Sequence, residues 1–301
     1  MAGGGETEHG YQKQAPLKGI LWMAVAAVFF SISMGLVRHI SLTIDAFEQT
    51  FFRQFLGMLI MLPFMLRGGF ASFRTGQLKT NLIRNVAGYL GISMSFWAVT
   101  LIPLADATAL QFTLPLFTII FAMILLAERV GRHRWIATVI GFAGALVIIR
   151  PGFAEINLGM VVALAAAASF GISDTLARRL SRTDSTNSIV FFSFALQVPI
   201  ALAVALFNWV TPSLADWPWL IALGLASFGA QWSLSRSFVL AEASLVSPVL
   251  FFRLPMVAVI GFFFFDELSD IWTWIGAAII FSATYYSARR EASHHRAKQA
   301  A

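Results

Sequence analysis

Three arginines lie in stretches too apolar to hold them without a reason: Arg53 in TFFRQFLGML, Arg236 in QWSLSRSFVL and Arg253 in VLFFRLPMVA. A guanidinium is always charged and only donates hydrogen bonds, so it binds carboxylates, sulfonates, phosphates, carbonyls or aromatic faces. At the centre of an apolar span such a charge costs about 2.5–3.5 kcal/mol on insertion scales. Arg253 is the deepest, about 15 Å along its span at the helical rise, and is flanked by Phe251, Phe252 and Pro255. It either binds an anionic substrate or serves a carboxylate or the carbonyls that Pro255 frees. Arg53 either faces substrate or pairs locally with Gln49 or Glu48, and Arg236 either faces substrate or snorkels and pairs with Glu242. Asp174 has Arg178 four residues on, the spacing at which opposite charges meet on a helix. The alternative for Asp174 is a protonatable coupling site. Tyr89, Ser93 and Trp97 share one helix face at i, i+4, i+8, Trp232 and Arg236 share another, and Gln111 precedes Pro115 as Arg253 precedes Pro255. These residues form the candidate substrate site: Arg253, Arg53, Arg236, Gln111, Tyr89, Trp97 and Trp232, with Asp174 as a proton relay.

No catalytic constellation competes with that reading. There is no Cys, which removes thiol catalysis and disulfides. The histidines (His9, His39, His133, His294, His295) fall in loops, tails or helix ends, without metal-ligand spacing inside a span. There is neither a GxxxxGK[ST] phosphate loop nor a dinucleotide fingerprint. The sequence therefore implies no enzyme, no metal and no cofactor.

The elements that must position these residues follow from composition. Of 301 residues 58% are hydrophobic and 12% charged, and mean hydropathy is +0.76. A soluble globule of this size could not cover itself with so little polar surface. A bilayer core about 30 Å thick needs about 20 apolar residues per helix. Ten such spans are predicted near 19–38, 47–66, 81–101, 105–126, 132–150, 158–179, 187–208, 218–240, 243–265 and 271–289. They are continuous apolar runs without the alternation of barrel strands, so the protein is all-α. The polar start and uncleaved first run predict no removable signal peptide.

With the N-terminus cytoplasmic, sixteen Lys and Arg flank the spans inside, from Lys13 and Lys18 to Arg296 and Lys298, against Arg38 and Arg150 outside. That bias places both termini in the cytoplasm. It also spreads the net charge of +6 over membrane-flanking loops, where it contacts lipid and offers no soluble face to nucleic acid. Trp22, Trp135, Trp209, Trp217, Trp219, Trp272 and Trp274 lie near span ends, as interfacial belt residues do. Ala137, Gly141 and Gly144 give one span a small-residue face for packing within the monomer or between two copies.

The halves repeat. FSISMGLVRHIS (30–41) matches FGISDTLARRLS (170–181) at six of twelve positions, and QFTLPLFTIIFAMILLAERV follows the course of LFFRLPMVAVIGFFFFDELS. Five spans per half is an odd number, so the second half enters the membrane inverted, an architecture of alternating-access carriers. On ATALQFTLPLFTIIFAMILLAERV, its counterpart AEASLVSPVLFFRLPMVAVIGFFFFDEL and the arginine of FFRQFLGMLIMLPF, the chain resembles ten-helix members of the drug/metabolite transporter superfamily with two EamA-type domains. The resemblance implies a cytoplasmic tail (1–17), two repeats (18–150 and 157–289) and a second tail (290–301) in an inner membrane. It also implies that Glu128 and Glu267 are the family glutamates, satisfying groups at helix ends. Arg253 departs from the apolar, aromatic or small polar residue more usual there.

The expectation is a secondary carrier of a small organic metabolite that bears a carboxylate or other anionic group, such as an amino acid or organic acid. Export is favoured over uptake, and coupling to a proton or another ion and exchange both stay open. Two alternatives stay open: a proton-coupled exporter of cationic or amphipathic compounds through Asp174, and a channel or non-transporting receptor. Monomer and homodimer are both compatible with the sequence.

Overall fold

A computed structural model describes residues 16–67, 75–128, 131–152, 157–181, 183–184, 186–241 and 243–299. Lys13, Arg74, Arg129, Arg182, Glu155 and Glu242 lie outside the described residues. Each apolar run is helical, because a backbone without water must bond to itself. The first repeat comprises α1 (Pro16–Ile40), α2 (Ala46–Arg67), α3 (Leu78–Leu101), a span broken into α4 (Leu104–Gln111) and α5 (Leu114–Leu126), and α6 (Arg132–Ile149). The second comprises α7 (Leu158–Leu180), α8 (Thr186–Ala205), α9 (Trp217–Leu240), a span built from α10 (Ala243–Val246), a 3-10 turn Ser247–Phe252 and α11 (Arg253–Phe265), and α12 (Ile271–Gln299). Five stretches meet membrane-crossing length and hydropathy unaided: Leu17–Ile40, Leu104–Leu126, Arg132–Ile149, Leu158–Leu180 and Pro248–Phe265. The bundle is the expected two inverted five-helix repeats.

The tail expected from 290 continues α12 as helix to Gln299. Its sequence is rich in Ala, Arg, Glu, Lys and Gln and contains neither Gly nor Pro, so nothing there ends a helix.

The two breaks are chemical equivalents. A proline ring clashes with the carbonyl four residues back and donates no hydrogen bond. Pro115 thus halts the ladder at Gln111, where α4 ends, and Pro255 does so at Phe251, inside the 3-10 turn. Both α5 and α11 then run thirteen residues to a left-handed residue, Ala127 at φ 52° and Asp266 at φ 53°.

Packing obeys the repeat. The pair α3·α7 is the counterpart of α9·α1, and α5·α7 that of α11·α1, while α2·α8 and α6·α12 map onto themselves. Phe112 and Phe251, equivalent in the two repeats, stack with ring centroids 4.1 Å apart, which places the pseudo-two-fold axis beside them. Polar bonds define the two ends. At one, Arg38 meets Glu267 at 2.7 Å, Arg150 meets Asp270 at 2.5 Å and Thr43 donates to Asp216 at 3.0 Å. At the other, Thr75 donates to Asp184 at 2.5 Å, Ser237 to the Gly19 carbonyl at 2.7 Å, and Tyr286 lies 3.3 Å from His133. We call these the acidic and basic ends; α1 begins and α12 ends on the side of the basic one. Between α6 and α12 the small-residue face is used within the chain. A Cβ on Gly144 would lie 2.8 Å from the Gly276 carbonyl oxygen, so only glycine allows this approach.

Candidate functional site

Arg253 opens α11, directly after the 3-10 turn, so the break projects a guanidinium into the bundle where its repeat counterpart has Leu114. It is 8% exposed. Its Nη2 donates to Gln111 Oε1 at 3.2 Å, and its guanidinium carbon lies 5.3 Å from the Phe30 ring centroid. Nε has no partner. Among the described residues, no carboxylate oxygen comes within 4.0 Å of Arg253. A buried cation held by one neutral amide and one aromatic face has an unfilled requirement for an anion. The N-termini of α5 and α11 also begin at this level, and their backbone dipoles favour negative charge.

Gln111, the last residue of α4, joins Arg253 to α3 by donating from Nε2 to Ser95 Oγ. The Phe112–Phe251 stack extends through Phe281, at 4.5 Å from Phe251, to Tyr285 at 5.9 Å from Phe281. From sequence, Phe251 enters only as a neighbour of Arg253 and as the repeat partner of Phe112, and Phe30 and Phe281 do not enter as site candidates. Among 29 phenylalanines, nothing in spacing marks the few that meet at the axis.

Arg53 makes no pair with Glu48 or Gln49. Glu48 is fully buried and accepts from the Val210 N–H at 3.1 Å, and Gln49 donates to the Ile44 carbonyl at 2.9 Å. Arg53 donates to Gln54 Oε1 at 2.6 Å, Gln54 donates to Gln197, and Gln197 donates to Asn85 Oδ1 at 3.1 Å. Asn85 donates to the Asn81 carbonyl at 2.8 Å, and Asn81 donates to Thr75 and Asp184 at 2.8 and 3.3 Å. This amide chain crosses α2, α8 and α3 from Arg53 to the basic end. Its signal in the sequence is amides inside apolar spans, since each needs a buried partner.

The remaining candidates separate. Tyr89 and Ser93 are buried in the central core, one helical turn apart, with the Tyr89 hydroxyl facing that of Ser93 and no further partner for either among the described residues. Trp97 packs beside Phe47 with centroids 6.1 Å apart. Arg236 sits 5.3 Å over the Trp232 ring, both exposed, and Trp232 lines a cavity of about 190 Å³ with Trp22, Phe29 and Phe228. Neither contacts Arg253, whose partners are Gln111, Phe30 and Ser31. Asp174 forms no ion pair with Arg178 within 4.0 Å; it is exposed, and Arg84 and Arg178 act on it from farther away. Glu267 fulfils the helix-end role: it accepts from the Leu104 N–H at 2.8 Å while it bridges Arg38.

The repeats allow the two ends to be compared residue by residue. Met34 is 6% exposed on α1, whereas its counterpart on α7, Asp174, is exposed. Arg38 is clasped between Glu267 and the Val99 carbonyl, whereas its counterpart Arg178 is exposed. Ser93 and Phe96 are buried, whereas Trp232 and Ser235, in the matching part of α9, are exposed. The acidic end is the tighter of the two.

Residues 17–150 and 157–289 each match the model of the EamA-like transporter family. The chain is 29% identical over 270 residues to an S-adenosylmethionine uptake transporter of Rickettsia prowazekii, covering 90% of this chain and 92% of that one. It is 31% identical over 273 residues to a riboflavin transporter of Vibrio cholerae (89% and 92%). It is 32% identical over 264 residues to a pseudopaline exporter of Pseudomonas aeruginosa (87% and 93%). A solved structure titled "Crystal structure of protein" shares the fold, with a TM-score of 0.62 at 18% identity over 92% of this chain and 99% of that one.

Proposed function

Because the chain belongs to the EamA-like transporter family, within the drug/metabolite transporter superfamily, we propose that its two inverted halves rock about Arg253 to move a small metabolite carrying an anionic group. Its relatives, named as transporters and an exporter, support a multi-pass membrane transporter of small molecules rather than an enzyme. The class of substrate is our reading. One observation carries it: Arg253 is 8% exposed, and among the described residues its guanidinium has only neutral partners. A substrate carboxylate would supply the missing charge, with Gln111 and the Phe112–Phe251 stack positioning the rest of the molecule. Arg53 and the amide chain behind it would form the polar wall on the α2–α8 side. Tyr89 and Ser93 hydroxyls supply further hydrogen-bonding groups, and Trp97, Trp232 and Arg236 are assigned to the approach to this site.

We place the basic end in the cytoplasm of a bacterial inner membrane, in keeping with the basic residues there. Export is our choice of direction. The pseudopaline exporter supports it, and the S-adenosylmethionine uptake transporter is the opposing case. A second reading rests on Asp174, which is exposed and without an ion pair among the described residues. In that reading Asp174 takes up a proton to drive export of a cationic or amphipathic compound.

A thermal-shift screen of purified protein against matched anionic, zwitterionic and cationic metabolites separates the two, since ligands stabilise the folded state by mass action. Stabilisation by anions, followed by saturable counterflow in oriented proteoliposomes, is expected. Stabilisation by cations alone, abolished in Asp174→Asn, would transfer the site to Asp174.

A further inference from the structure

Near the basic end, where α3, α5 and α7 meet, a groove encloses about 410 Å³. Its wall is apolar, and Ile83, Ile124 and Leu125 turn 48%, 62% and 40% of their surface outward, so the groove opens on the face of the bundle that lipid covers. Lys79 and Arg179 stand at its mouth, at opposing helix ends. Neither has an ion-pair partner within 4.0 Å among the described residues, and no carboxylate lines the groove. Two cations on one apolar groove repel each other unless an anion lies between them.

The inverted repeat supplies an internal comparison. The counterpart of Arg179 is His39, at the acidic end, where α1 finishes beside the start of α9. There the His39 ring packs edge-on against Trp219 with centroids 4.6 Å apart, so the protein closes that gap with its own side chains. At the basic end the corresponding place holds Lys79 and Arg179, which cannot pack on one another.

We propose that an anionic phospholipid fills this groove, with its phosphate between Lys79 and Arg179 and an acyl chain along Ile83, Ile124 and Leu125. Arginine offers a planar fork that matches phosphate oxygens, and lysine adds a compact point charge. Basic pockets between membrane helices at headgroup depth suit such lipids. A free phosphate ion would satisfy the two cations but leave the apolar wall bare, which commits the site to a lipid. The wall joins α5 of the first repeat to α7 of the second, so the bound lipid braces a contact between the two halves.

The test uses the full-length protein and native mass spectrometry, titrating phosphatidylglycerol, phosphatidylethanolamine and inorganic phosphate. Wild type is expected to retain phosphatidylglycerol in preference to phosphatidylethanolamine and to ignore inorganic phosphate. The double variant Lys79→Gln/Arg179→Gln is expected to bind phosphatidylglycerol about thirty-fold more weakly, with phosphatidylethanolamine unchanged. Lys18→Gln/Arg132→Gln, which removes two exposed charges from the same end, is the control and is expected to retain wild-type preference. Equal loss in the control would reduce the effect to general surface charge and overturn the site. So would equal retention of both lipids by the wild type, a result that needs no variant, or binding of inorganic phosphate as tight as that of phosphatidylglycerol.

Discussion

Replacing Arg253 by Gln should move ligand binding and apo stability in opposite directions. Arg253 is 8% exposed, and among the described residues its Nε is unpartnered and its guanidinium makes one hydrogen bond, to a neutral amide 3.2 Å away. The cost of burying that charge is offset only by Gln111 and the Phe30 face, an aromatic contact worth about 2 kcal/mol when desolvated. A glutamine shortens the side chain and removes the charge, so the apo protein should unfold at the same temperature or higher. Bound substrate reverses the sign. Truncating one side of a buried, hydrogen-bonded charge pair costs about 2–5 kcal/mol, or roughly thirty-fold to several thousand-fold in affinity. The assay is thermal unfolding in detergent with and without an anionic ligand found in the screen. Wild type should show a ligand-dependent rise that the variant lacks, with the variant's own baseline unchanged or raised. A lowered baseline together with an intact anion shift would refute the reasoning and make Arg253 a structural residue.

Three further expectations follow from the same geometry. Glu267→Gln removes the carboxylate that holds both the Leu104 N–H at 2.8 Å and Arg38 at 2.7 Å. It should cost about 1–3 kcal/mol and lower the detergent unfolding temperature, whereas Glu267→Asp should recover part of the loss. Because the chain has no Cys, single cysteines report access directly: Asp174→Cys should react with a membrane-impermeant thiol reagent added to the basic side, and Met34→Cys should be protected from reagent on the acidic side. Asp184 lies in the loop after α7, where slight desolvation is outweighed by hydrogen bonds from Thr75, Thr183 and Asn81 that hold its carboxyl below the usual range. A depressed folded-state value means stability that is present above the unfolded value near 3.9 and lost as pH falls through the folded one. Hydrogen exchange around 75–81 should therefore accelerate below about pH 4 in wild type, and Asp184→Asn should remove that pH dependence.

The scaffold was legible because membrane helices announce themselves through length and hydropathy, and because FSIS and FGIS mark the repeat. The proline breaks were legible too: a ring at 115 or 255 forbids a continuous ladder wherever the helix sits. Pairings were not. Arg53 seemed able to reach Glu48 along its own helix, but Glu48 turns to the Val210 N–H in the connection before α9, and Arg53 takes Gln54 instead. Asp174 has a correctly spaced arginine, yet spacing on one helix does not fix the rotamers that α3 and α5 impose. The tryptophans near span ends read as a uniform belt, but Trp209 and Trp217 pack on Phe52 with centroids 5.7 and 5.6 Å away, and Trp22 lines the α1–α9 groove. Side-chain partners between helices depend on rotation about helix axes, which a one-dimensional pattern records only as a face.

A two-fold scaffold could in principle present the same chemistry to both sides, but this one does not. At the axis the aromatic stack is shared equally by Phe112 and Phe251, whereas the charge is not shared: Arg253 stands where the first repeat has Leu114, and Gln111 where the second has Leu250. In the proposed site, a substrate anchored on Arg253 would lean toward the second repeat, with its body on a stack that belongs to both. The ends diverge in the same manner. Carboxylates clamp Arg38 and Arg150 at the acidic end, whereas uncharged hydroxyls and amides meet Asp184 at the basic end. Among the described residues, breaking the first set exposes charge of both signs to water, and breaking the bonds to Asp184 exposes an acid among neutral partners. The described contacts at the two ends thus rest on unlike chemistry, carried by side chains that the shared fold leaves free to differ.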